Sequence, residues 1–147
     1  MELIHFDTKK SLEELEKVEK QTYRRGNSMV SRSNKLRKIA LKDLSAEDLC
    51  SMIVQNSSLK YLVPVAIEMM NKDPLIKGVS YEGDLMNAVL TVEKKFWIGD
   101  LHGYVPMMNV IIEKALKITK THPAEYEEYM QKSAHAINLF KENISVL

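Results

Sequence analysis

The chain has 147 residues, of which 45% are hydrophobic and 28% charged, with a net charge of +1 and a single cysteine. That length can bury about 68–70% of its unfolded surface in one core, so the fold requires neither disulfides nor a structural metal. The composition argues against overall disorder, and no run approaches the eighteen apolar residues of a membrane span.

Five glycines and four prolines beside abundant Met, Leu, Lys and Glu favour helices. The expectation is an all-α single domain over residues 1–147 with six to seven helices. A short strand at Leu3–Phe6 is the one candidate exception. The N-terminal residues carry acids and no long apolar stretch, so neither a signal peptide nor a membrane anchor is expected in them. With the lone Cys50, this places the expected compartment in the cytoplasm.

Ser11 with Glu14 three residues on forms a capping box, opening a helix with a Leu12, Leu15, Val18 stripe. The stretch from Gly26 to Asn34 reads as a loop leading to a short basic helix over Lys35–Leu41. Ser45 caps the next helix, with Asp48 at a position where an acid suits the helix dipole, and Leu49, Met52 and Ile53 share its apolar face. Leu59, Leu62, Val63, Ala66, Ile67 and Met70 recur at helical spacing. Pro64 lies inside that pattern, and its missing N–H predicts a helix that starts near Tyr61–Val63.

Asp73-Pro74 stops this helix. Asp84 is placed to cap the following one, with Leu85, Val89, Val92 and Phe96 along a face. A loop over 98–103 precedes a long helix bearing Met108, Ile111, Ile112, Ala115 and Ile118. His122-Pro123 ends it, and a last helix starts near Ala124 with Glu125, Glu127 and Glu128 in its first turns and Tyr126, Met130, Ile137 and Phe140 facing inward.

Catalytic patterns are missing from the sequence. It holds no phosphate-cradling glycine loop, no nucleophile elbow and no His or Cys at metal-ligand spacing. Asp100-Leu101-His102 could orient a base, but no nucleophile is tied to it. Cys50, with no close basic neighbour, reads as a small buried side chain rather than a reactive thiol. No catalytic residue, metal or cofactor is expected.

Charge, by contrast, is unevenly spread. Eight basic residues and no acid lie between Lys20 and Lys42, whereas the stretch from Asp43 to Glu113 sums to −5. The basic stretch keeps open a reading as a small nucleic-acid-binding module. The Tyr81-Glu82-Gly83-Asp84 turn and the Phe96-Trp97 pair are where a protein partner could be met, since exposed aromatics dominate interface hot spots.

Read together, Ser11–Glu16, Leu41–Leu49, Gln55-Asn56, Leu59–Pro64, Ala66, Pro74, Tyr81–Leu85, Val89-Leu90 and Phe96-Trp97 are similar to a helical family of immunity proteins from bacterial contact-dependent growth inhibition (CDI) systems. The resemblance spans roughly residues 11–97. It implies a cytoplasmic, non-catalytic protein that binds the toxic C-terminal domain of a cognate effector, 1:1, without contacting membrane or nucleic acid itself. Such toxins are often nucleases, whose substrate grooves must be basic. Loop placement and residue type nominate Tyr81, Glu82, Trp97 and Asp100 as toxin-binding residues.

Overall fold

Two reciprocal capping boxes set where the chain first turns helical. In the computed structural model, which describes residues 4–16, 35–98, 100 and 103–145, the Ser11 side chain accepts from the Glu14 N–H while Glu14 reaches back to the Ser11 N–H. That box opens α1, Leu12–Leu15. Ser45 and Asp48 repeat the arrangement at the start of α2, Ala46–Ile53. Asp48 therefore bonds the cap directly and does more than complement the helix dipole.

Five further helices follow among the described residues: α3, Leu59–Lys72; α4, Asp84–Leu90; α5, Lys94–Trp97; α6, Tyr104–Thr121; and α7, Glu127–Ile144. The fold is all-α, as expected, and the N-terminal strand is not formed. Residues 4–6 are irregular, and the described residues hold only isolated bridges, Ser11 to Ala40 and Lys77 to Glu82. Phe6 instead packs edge-on against Tyr61 with ring centroids 5.1 Å apart, a gain that needs no strand partner. The basic helix expected over Lys35–Leu41 is reduced to helical Lys35 and Leu36 and a 3-10 turn at Leu41–Asp43. Backbone bonds from Glu13 to Arg37, Leu41 to Lys10 and Lys42 to Thr8 tie this stretch to the N-terminus, and they compete with helical pairing. Val18 and the 26–34 loop lie outside the described residues.

A buried ion pair locks these segments together. The Arg37 guanidinium lies 2.7 Å from the Glu16 carboxylate, with both side chains under a tenth exposed. Ser58 Oγ sits between them, accepting from Arg37 at 3.2 Å and donating toward Glu16 at 3.1 Å. Ser58 takes φ +49°, a left-handed conformation uncommon for serine, at the N-cap of α3. The helix then starts at Leu59 rather than near Tyr61–Val63. Pro64 stands in its interior, where it deprives the Lys60 carbonyl of its usual donor. Lys60 is exposed, so water can bond that carbonyl, while Pro64 packs in the core.

The centre of the bundle is α4, every residue of which is buried. It packs on α2, α3 and α7, while α6 lies on α3 and α5 on α7. The face expected to run unbroken from Leu85 to Phe96 is interrupted after Leu90, and α5 is a separate single turn. Asn56, another left-handed residue at φ +54°, helps place it, because its side-chain oxygen accepts from the Glu93 N–H at 2.9 Å. On α7 the inward stripe is Tyr129, Ser133, Ala136 and Phe140, and Met130, expected inside, is 42% exposed. No helix among the described residues is long and apolar enough to cross a membrane.

Candidate partner-binding surface

The surface around Tyr81 and Glu82 is built by one carboxylate. Asp84 was expected to cap α4, but Gly83 occupies the N-cap with φ +92°, a conformation glycine adopts without penalty. A Cβ at that position would lie 2.3 Å from the Tyr129 ring, so the close approach of turn and helix also requires glycine. Asp84, freed from capping, accepts from the backbone N–H groups of Gly78, Val79, Ser80 and Tyr81 at 2.5, 2.9, 2.7 and 3.4 Å. These four bonds hold the turn that carries Tyr81 and Glu82 rigidly on the bundle.

Tyr81 is half-buried. Its hydroxyl accepts from Asn87 Nδ2 at 2.9 Å, and the Lys132 ammonium lies 4.7 Å from its ring centroid. Glu82 is exposed beside the N-terminal end of α7. There Glu82, Glu125, Glu127 and Glu128 surround a hollow of about 450 Å³, in which Lys132 is the only cationic lining residue among those described. Lys132 is engaged with Glu128 at 2.9 Å. The Tyr126 hydroxyl records the resulting field: its pKa is raised, first by burial and then by the charges of Glu125, Asp73 and Glu82.

Trp97 and Asp100 are placed elsewhere. Trp97 is fully buried, edge-on to Phe140 at 4.9 Å and to Phe96 at 5.0 Å, so its ring packs the core instead of facing a partner. A single-turn helix sets it there: the α5 backbone is pinned at Glu93 by Asn56 and lies against α7. Trp97 meets α7 at Phe140 and Tyr81 meets it at Lys132, positions separated by about 12 Å of helix rise. Asp100 is half-buried and accepts from the N–H groups of Tyr104 and Val105, both at 2.9 Å, capping α6 from outside. Tyr81 and Glu82 thus share one surface, whereas Trp97 and Asp100 serve packing and capping. His102 lies outside the described residues.

The acids Glu125, Glu127 and Glu128 were read only as a helix start. Their repetition within four residues, at the start of the last helix, is the available signal. Of the four described members of the basic stretch, Arg37 is consumed in the core and Lys42 pairs with Asp43 at 3.4 Å. Burial withdraws Arg37 from any phosphate contact, whereas the exposed Lys42 pair is weak.

A family model of CDI immunity proteins matches residues 13–102, more than half of the chain. The chain belongs to that family. No curated protein and no solved structure matches it. CDI immunity proteins neutralise the toxins of contact-dependent growth inhibition and are generally non-enzymatic. The partner of this immunity protein is accordingly a toxin protein. The matched segment includes Tyr81, Glu82 and the Asp84-organised turn, while α7, which completes the acidic hollow, lies beyond it.

Proposed function

We propose that this immunity protein binds the C-terminal domain of its cognate toxin, 1:1 in the cytoplasm, and neutralises it by covering the active site or the approach of substrate. The carrying observation is the acidic surface at Tyr81, Glu82 and the start of α7, where four carboxylates face one lysine. A nuclease must hold a polyanion and so presents cations around its catalytic groups. An acidic, rigidly held surface competes with nucleic acid for those cations, speeds encounter and fixes orientation. The Asp84 bonds matter to this reading because they spare the complex the cost of ordering the turn. No turnover is required of any residue.

The test is a titration of the toxin domain encoded beside this chain with wild type, Glu82→Lys and Asp100→Lys. Glu82→Lys should weaken binding by about tenfold or more and restore toxin activity at matched concentrations. Asp100→Lys should act mainly through the lost cap of α6. Unchanged affinity of Glu82→Lys would remove this face from the account.

A further inference from the structure

A second hollow, a groove of about 850 Å³, adjoins the acidic one and shares Tyr81 and Lys132 with it. It runs between α2, the 78–81 turn, α4 and α7, and Cys50, Met52, Ala88 and Ala136 give it apolar walls. Val54 and Val79 stand on its lips, 60% and 49% exposed, extending the apolar surface beyond the groove itself. Asn87, which also lines it, is only 8% exposed. Its Nδ2 donates to Tyr81, but its Oδ1 has no hydrogen-bond partner among the described residues, and buried acceptors are normally satisfied.

We infer that this groove receives an apolar side chain of the toxin domain, carried next to a lysine or arginine that enters the acidic hollow. The inference rests on the toxin-binding reading and names the chemistry of the contact. Three features select that occupant. Apolar walls ask for an apolar anchor, and the unpaired Asn87 oxygen asks for an N–H or O–H beside it. Four carboxylates around the adjoining hollow ask for a cation. The exposed lips favour a protein over a small molecule, because a ligand held wholly inside would leave Val54 and Val79 in water. An anchored apolar residue ringed by polar contacts is the usual anatomy of an interface hot spot.

The test compares wild type, Val79→Asp, Ser51→Trp and Glu82→Lys for binding to the toxin domain, with the thermal melt of each variant as a folding control. Methyl NMR of the wild type follows Val54 and Val79 during the titration. The expected result is at least about 30-fold weaker binding for Val79→Asp and Ser51→Trp, with methyl shifts at both valines. Wild-type affinity in both groove variants, or unmoved valine methyls, overturns the inference; the toxin-binding reading survives if Glu82→Lys still weakens the complex. A wild type that does not bind the toxin overturns both.

Discussion

The Lys132 ammonium bridges Tyr81 and Glu128, lying 4.7 Å from the ring centroid of one and 2.9 Å from the carboxylate of the other. It is the cation set among the acids of the proposed binding surface, and Glu128 raises its pKa further. Lys132 therefore opposes an incoming basic surface. Lys132→Gln should speed association with the toxin domain by about two- to fivefold at low salt, and the gain should fade as salt screens it. Stopped-flow rates at several ionic strengths check this. A slower association would place a negatively charged toxin surface here.

Trp97 provides a separate test of how the surface is assigned. Its indole is fully buried and its N–H has no hydrogen-bond partner among the described residues, so a change to phenylalanine costs packing and no hydrogen bond seen there. Trp97→Phe should destabilise the fold by about 1–3 kcal/mol in urea denaturation while leaving toxin affinity unchanged. The native tryptophan should resist quenching by iodide in the free and the bound protein. Weaker toxin binding by a stable Trp97→Phe variant would return this residue to the interface.

The Glu16–Arg37 pair predicts a large stability effect. Removing one partner leaves a buried charge unpaired, at a cost of about 3–5 kcal/mol, whereas replacing both with apolar residues can be nearly neutral. Arg37→Ala should fall in that range by chemical denaturation, and Glu16→Leu with Arg37→Met should recover most of the loss. A small effect of Arg37→Ala would show that the pair is open to water in solution.

Alkaline pH should weaken the fold through two buried groups. The Cys50 thiol is pushed up to about 11 by burial and then by the Asp84 charge, and the Tyr129 phenol up to about 12, chiefly by burial. In each case the unfolded chain loses its proton first, at 9.0 for the thiol and 10.0 for the phenol. The folded state thus holds more protons, and stability falls as pH rises from about 9 to about 12. Cys50→Ala should flatten the first part of that decline in urea titrations between pH 8 and 11. At pH 8 the native thiol should also react with iodoacetamide about 100-fold more slowly than after unfolding.

Local signals in the sequence located most of the helices. The Ser11/Glu14 and Ser45/Asp48 boxes are written within four residues of chain, and they open α1 and α2 as read. Two misreadings share a different cause. Pro64 and Asp84 were assigned by the rules for their residue types at helix starts, but tertiary contacts decided both. Core burial retains Pro64 inside α3, and four loop amides draw Asp84 away from capping. On α7, Ser133 and Ala136 complete the buried stripe, and apolar character alone pointed to Met130 instead. Of the nominated site, the Tyr81-Glu82 turn was legible because turn residues and an aromatic coincide there. The acids of α7 that complete it join the turn only through folding, as does the Glu16–Arg37 pair, and no spacing rule reports such meetings.

Calorimetric titration of the wild-type chain against its neighbouring toxin domain, alongside the toxin's own activity assay, tests the central claim most directly. The account predicts a saturable 1:1 complex, loss of toxin activity at equivalence, and affinity that falls as salt is raised. No heat of binding at micromolar concentrations, or a complex in which the toxin stays fully active, would contradict it.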